Sequence, residues 1–377
     1  MKKKLLPKFI ISIILISCCI GCSKITKVTD IVTNPSAREV YERTLKDSLQ
    51  VFSQWKNAYA SAQQDSLEIN LPYTENGKFR KNSFHTYSYN FEVKEGSAII
   101  ISVAQDTLPK SVFISVFQQQ DSIFKEVTSN QPTEKKLEFT PETSGNFKVI
   151  IQPELANDNH FSLILNTKPQ YGFPVAGKGN KAIQSFWGNA RDGGKRKHEG
   201  IDIFAKRGTP VVAAVDGRVS STGNRGLGGK QVWLRDGLFG KSLYYAHLDS
   251  ILATSGQRVY IGDTLGFVGN TGNAKYTPPH LHFGIYKGYG GAIDPLPFVF
   301  KTEEISHQFT EVYESDSLRI KSSKANVRVG PKTSFEKITS LERNDIIFPL
   351  GTSDNWIHFK NENGLHGYVH ASLVSKI

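Results

Sequence analysis

Two short clusters and one further position hold four of the ten histidines, together with one aspartate. The first cluster is His198-Glu199-Gly200-Ile201-Asp202-Ile203-Phe204, and the second is Pro278-Pro279-His280-Leu281-His282-Phe283-Gly284. Between them His247 stands in Leu243-Tyr244-Tyr245-Ala246-His247-Leu248. Two histidines and an aspartate give a borderline-soft divalent ion three ligands and leave its fourth position for water, which is the arrangement of a catalytic zinc site. The other two imidazoles are then free to orient substrate, move protons and support a developing oxyanion. A single histidine on a strand is more often a satisfied core or surface group. Five such residues in one segment, four of them at two- and four-residue steps, are hard to explain that way.

The elements that must position these groups follow from the alternation around them. Ile201 and Ile203 flank Asp202 as in a half-buried strand, so residues 198, 200 and 202 are expected to share one face, with Gly200 leaving that face open. His280 and His282 repeat the two-residue step while Leu281 and Phe283 face the other way, and Pro279 biases Pro278 toward extended backbone. Residues 172–291 contain 24 of the 32 glycines. Glycine gathers where backbone turns tightly or approaches a ligand closely, which marks this stretch as the place of a site.

The rest of the chain sets the context. Its 377 residues allow two or three folded units, and 38% apolar with 11% aromatic residues are enough to build cores. The net charge is +11, of which four lysines (Lys2, Lys3, Lys4 and Lys8) sit in the first eight residues. Residues 9–20 form an apolar run too short to span a bilayer, so residues 1–21 read as an export signal. The signal ends in Cys19-Ile20-Gly21-Cys22, which resembles a bacterial lipobox. That resemblance implies lipid modification of Cys22 and a lipoprotein anchored in a membrane of the cell envelope. By analogy with known sorting signals, Ser23 points to the periplasmic side of an outer membrane. All three cysteines lie at 18, 19 and 22, which excludes a disulfide scaffold and a Cys-ligated metal site from the folded parts.

Residues 22–35 are a polar tether. Ser36 and Glu39 have capping-box spacing, and apolar residues from Tyr41 to Tyr59 at steps of three and four predict one amphipathic helix over 36–66. Over 67–168 the period changes to two, with β-rich runs at 86–93, 98–104, 112–117, 147–152 and 161–165, which predicts a β-sandwich weakly resembling jelly-roll modules. Residues 318–377 suggest a small barrel similar to bacterial SH3-like domains. Its His358, His366 and His370 read as surface or fold residues rather than metal ligands, and Trp356 and Tyr368 as either ligand-stacking or packing groups.

Residues 173–298 resemble the lysostaphin-type zinc endopeptidases, which cleave peptidoglycan cross-bridges. The likeness rests on His198-x-Gly200-x-Asp202, Tyr245-x-His247 and His280-x-His282, supported by Gly208-Thr209-Pro210, Gly262-Asp263-Thr264-Leu265-Gly266 and Asp294-Pro295. It implies one zinc ion on His198, Asp202 and His282, a catalytic pair of His247 and His280, and an antiparallel sheet with the site in a groove above it, within 172–300. The whole chain is then expected to be mainly β. Peptidoglycan stem peptides and cross-bridges would be the substrate and partner, and nucleic acid is not expected. A scaffold that binds the wall or activates another hydrolase without cutting is the alternative, but that class lacks some of these five residues. Glu199 is expected to point away from the site, and the helix motif of the His-Glu-x-x-His proteases does not occur. Lys195-Arg196-Lys197 and Lys206-Arg207 read as solvated charge or as attraction to the anionic wall.

Overall fold

Period-two patterning over the middle of the chain becomes two stacked four-stranded sheets in the computed structural model, which describes residues 35–45, 50–81, 83–107, 110–131, 134–237, 240–309 and 316–377. The export signal, Cys22 and most of the tether lie outside these residues. The sandwich strands are β1 (Tyr73–Lys78), β2 (Tyr87–Val93), β3 (Ser97–Gln105), β4 (Val112–Gln120), β5 (Ile123–Ser129), β6 (Lys136–Phe139), β7 (Gly145–Pro153) and β8 (His160–Pro169). One sheet runs β2-β7-β4-β5 and the other β1-β8-β3-β6, all antiparallel. Alternate residues of both sheets, among them Tyr89, Ile99, Ile101, Val116, Phe147 and Leu165, fill the space between them and are fully buried.

Two helices, Ala37–Thr44 and Gln50–Gln63, replace the single helix expected over 36–66. The capping box of Ser36 and Glu39 is formed, but Leu45 turns to extended backbone and ends the first helix. The apolar stripe continues across the break because both helices face the same sheet. Trp55 packs edge-on against Phe113 and Tyr41, and its indole donates to the Pro153 carbonyl at 2.9 Å. Truncating such a buried indole costs about 3–5 kcal/mol.

The sheet that carries the two histidine clusters runs, strand beside antiparallel strand, Arg258–Val259, Gly217–Arg225, Gly229–Arg235, Ser242–Ala246, His280–Tyr286, Ile201–Phe204 and Ile183–Ser185. Its buried face presents Val219, Val232, Leu234, Leu243, Tyr245, Leu281, Phe283, Ile201 and Ile203, all fully buried. A second sheet of Pro210–Val212, Thr264–Val268 and Leu248–Ile251 closes that core.

The C-terminal barrel is tied to the sandwich by backbone. Strand Ile346–Ser353 pairs with β1, Asn76 opposite Thr352 and Gly77 opposite Gly351, so one sheet continues from the sandwich into the barrel. Trp356 and Tyr368 are buried with Leu67 at this junction, which removes them as ligand-stacking groups. His358, expected at the surface or in the fold, is fully buried there.

Candidate active site

Strands Ile201–Phe204 and His280–Tyr286 are adjacent and antiparallel, with Asp202 opposite His282 and Phe204 opposite His280. On the other side of the second strand Ala246 faces His282, so His247 follows at the same end of the sheet. Pleating then sends Asp202, His280 and His282 to the face opposite Ile203, Leu281 and Phe283. The register shifts between Asp202 and Ile203 against Ile183–Ser185, an irregularity of the kind that re-aims side chains beside sites.

His198 departs from the expected geometry. The strand begins only at Ile201, and His198 lies in the approach to it, where its amide donates to the Asn189 carbonyl at 2.8 Å and its carbonyl accepts from Gly188. The side chain still arrives at the same point. Gly200 is required for a more specific reason than an open face: a Cβ there would lie 2.6 Å from the Phe283 carbonyl oxygen and 2.7 Å from Cε1 of His282.

Nε2 of His198, Nδ1 of His282 and Oδ1 of Asp202 form a triangle with sides of 3.0, 3.1 and 3.1 Å. Two imidazole nitrogens and a carboxylate oxygen at this spacing fit zinc by donor type and by number, with one position left open. The groups around the triangle hold it in place. Nδ1 of His198 hydrogen-bonds the Phe186 carbonyl at 2.9 Å, which turns Nε2 toward the centre. The free oxygen of Asp202 accepts from Arg191 at 2.8 Å, and the same guanidinium donates to Ser185 at 2.6 Å. Arg191 and Ser185 carry no motif of their own, and only the fold reveals their part. Burial opposes charge on Asp202, but hydrogen bonds from His198 and His282 hold its carboxyl well below the usual carboxylate range. Burial also pushes the His282 imidazole down.

His247 and His280 stand beside the triangle with ring centroids 5.1 Å apart, and His247 is 5.8 Å from His282. Their Nδ1 atoms bond the carbonyls of Thr271 and Pro278, each at 2.9 Å, so both Nε2 atoms are left for the site. Nε2 of His280 is 3.9 Å from Oδ1 of Asp202. His247 has φ +62°, a left-handed conformation that a non-glycine residue keeps only where its surroundings enforce it. Here the enforcement comes from its amide, which donates to the Gly228 carbonyl at 2.8 Å, and from Thr271. Burial, then the neighbouring His282 and His280, pushes the His247 imidazole down to about 4. Glu199 faces away and accepts from the Tyr286 hydroxyl at 3.4 Å. Of the basic runs, Arg196 is paired with Asp192 and Arg207 with Asp249, so these two guanidinia brace loops.

Residues 196–295 match the family model described as Peptidase family M23, and residues 323–375 match that of a bacterial SH3 domain. The chain is 36% identical over 150 residues to an L-Ala–D-Glu endopeptidase of Bacillus subtilis, covering 37% of this chain and 46% of the relative. It is 37% identical over 100 residues to the peptidoglycan DD-endopeptidase ShyC of Vibrio cholerae, covering 24% of this chain and 22% of the relative. The solved catalytic domain of lysostaphin from Staphylococcus simulans is 32% identical, with a TM-score of 0.28, covering 30% of this chain and 89% of that one. The chain spans less than half the length of the two curated relatives. Peptidases of this family are zinc-dependent, and the five residues that converge here lie within the matched segment: the chain carries a domain of peptidase family M23, followed by a bacterial SH3 domain.

Proposed function

We propose that the chain is an exported, lipid-anchored zinc metalloendopeptidase that hydrolyses peptide bonds of peptidoglycan. The observation that carries this reading is the convergence of His198, Asp202 and His282 on one point with two further imidazoles beside it. Zinc on those three ligands would supply Lewis acidity, polarising a carbonyl and acidifying water. The chain's own groups do the rest. Arg191 and Ser185 fix the Asp202 carboxylate so that Oδ1 stays turned to the two imidazoles. His247 is neutral at physiological pH, and with its Nδ1 hydrogen committed to Thr271 its Nε2 accepts the proton of the attacking water and returns it to the leaving amine. His280, held the same way by Pro278, supports the carbonyl oxygen of the scissile bond from Nε2 when it carries a proton.

The named relatives are an L-Ala–D-Glu endopeptidase and a peptidoglycan DD-endopeptidase, so the substrate class taken here is the peptide part of the wall rather than one particular bond. The SH3 domain and the sandwich would hold the catalytic domain against the wall, and a lipid on Cys22 would hold it at the membrane, on the periplasmic side of an outer membrane. An inactive scaffold would be expected to have lost a ligand or a catalytic histidine, and all five are present. The test is digestion of isolated peptidoglycan sacculi by the full chain and by His198→Ala and His280→Ala variants, with products identified by mass. Soluble peptides from the parent alone support the reading; no release by the parent, or equal release by both variants, overturns it.

A further inference from the structure

A second set of three histidines lies where the sandwich meets the barrel, far from the M23 domain in sequence. His85 precedes β2, His358 lies on strand Trp356–Lys360 and His366 opens strand His366–His370. One ring nitrogen from each comes within 4.8 Å of the other two. We propose that His85, His358 and His366 bind a second zinc-class divalent ion that fastens the C-terminal barrel to the β-sandwich.

The hydrogen bonds around the rings favour a cation over a chance cluster. Nδ1 of His358 faces Oε1 of Glu75 at 2.9 Å, and Nδ1 of His366 faces Oδ2 of Asp65 at 3.0 Å. An ionised carboxylate only accepts, so both Nδ1 atoms carry the hydrogens and both Nε2 atoms present lone pairs. Those Nε2 atoms face each other at 2.5 Å. Two lone pairs at that distance repel unless a positive charge lies between or beside them. A shared proton would relieve two nitrogens, but the third remains: Nε2 of His85 is buried and has no hydrogen-bond partner among the described residues. Its ring centroid is 5.2 Å from that of His366 and 6.0 Å from that of His358. A metal ion engages all three. Tetrahedral zinc at its usual bond length sets ligand nitrogens about 3.3 Å apart, so the rings need only small rotations.

The carboxylates are themselves built in. Glu75 is fully buried and accepts from Tyr89 at 2.7 Å and from Tyr73, and a Cβ on Gly351 would strike its carboxylate. Asp65 accepts from Ser88 at 2.7 Å. Carboxylates behind the distal nitrogen orient metal-binding imidazoles and strengthen their donation. His85 and His366 also line an open cleft of about 1180 Å³.

The test uses the full chain in detergent with its thiols alkylated, equilibrated with Zn2+ and analysed for metal content. The parent should hold two ions, and His198→Ala/His282→Ala, which empties the catalytic ligand set, should hold one. Adding His85→Ala and His366→Ala should leave none, and His85→Ala alone should weaken the remaining ion at least about 100-fold, with folding checked by circular dichroism. His358 is left intact because its burial makes misfolding of a variant ambiguous. If the fourfold variant does not fold, the His198→Ala/His282→Ala chain decides alone: X-ray absorption should count three imidazoles on its one ion, and Zn2+ should raise its thermal midpoint. No bound zinc in that chain, or an ion that survives replacement of both His85 and His366, overturns the proposal, whatever the outcome for peptidase activity.

Discussion

Gly200→Ala tests whether the glycine between His198 and Asp202 is there to seat His282. A Cβ at this position would lie 2.7 Å from Cε1 and 2.8 Å from Nε2 of His282, and 2.6 Å from the Phe283 carbonyl oxygen. Ordinary contact begins near 3.4 Å, so the imidazole must retreat by about 0.7 Å or the paired strand must bend away. Metal–ligand distances tolerate only about 0.2 Å, and misplacement of a reacting group by about 1 Å costs on the order of 100-fold in rate. Overpacking of this kind also costs about 1–3 kcal/mol of stability. The expected result is therefore a loss of zinc affinity of about 10- to 100-fold and a similar fall in kcat/KM, with a smaller change in folding. Zinc affinity is measured by competition with a chromophoric chelator, rate by release of soluble peptide from sacculi, and stability by chemical denaturation. Gly179→Ala is the control, since a Cβ there meets nothing within 4 Å; it should change stability by less than about 0.5 kcal/mol. If Gly200→Ala keeps zinc affinity and kcat/KM within twofold of the parent, the steric reasoning is wrong, even if stability has fallen.

His247→Ala and His280→Ala should each lower kcat by about 100- to 10,000-fold while metal analysis still finds zinc on His198, Asp202 and His282. Zinc loss in either would move that histidine into the ligand set. Acid should inactivate by releasing metal, because protons compete for the same nitrogen and oxygen atoms, with the fall setting in below about pH 6.5. The His247 imidazole, held at about 4, stays neutral through most of that limb, so bound zinc and activity should decline together and return together on neutralisation with added Zn2+. Activity lost with zinc still bound would refute this. Gly77→Ala places a Cβ 2.5 Å from the Phe161 ring, beside the β1 pairing with the barrel, and should cost about 1–3 kcal/mol in denaturation without changing hydrolysis of a short soluble peptide. Cys22→Ser should abolish incorporation of labelled fatty acid; undiminished labelling would place the lipid elsewhere.

Part of the constellation was readable because three of its five members sit at fixed steps on strands, where a two-residue period translates directly into a shared face. Asp202, His280 and His282 follow that rule. His198 reaches the same point from the approach to its strand, so the spacing singled out a converging residue through a geometry it does not have. Arg191 could not be read at all, because its value lies in a contact made across the turn that follows it. The junction of sandwich and barrel was hidden for a related reason. β1 contains Glu75-Asn76-Gly77, a turn-like string with a charge, yet it is an interior strand of the joined sheet. The glycine is there because Phe161 and Leu350 occupy the space of its side chain, and the glutamate because His358, Tyr73 and Tyr89 receive it. Local patterning describes how a segment meets solvent, and the Glu75 and Gly77 positions of this segment are buried. The helix break at Leu45 escaped the same way, since both halves present apolar faces to one sheet.

The place where the sandwich docks bears on how substrate reaches the site. Glu95, just before β3, binds Lys287 at 2.6 Å and Lys241 at 3.4 Å. Lys241 precedes strand Ser242–Ala246 and Lys287 follows strand His280–Tyr286, so both lie at the end of the sheet opposite His247 and His280. At about 3.3 Å per residue, the contact is roughly 20 Å from the catalytic imidazoles. Gly96, at φ +93°, lets the loop sit against the Phe298 ring, and the Tyr171 amide donates to the Phe298 carbonyl at 2.8 Å, which makes this dock part of the core. The catalytic end is bordered instead by the loops that carry Leu227 and Tyr276, exposed at 59% and 87%. A peptide strand can lie across that end without displacing the sandwich. Because the sandwich sheet runs on into the barrel through β1, a barrel resting on the wall would fix the direction in which those loops face, and the angle of approach would be set by backbone pairing rather than by a flexible linker.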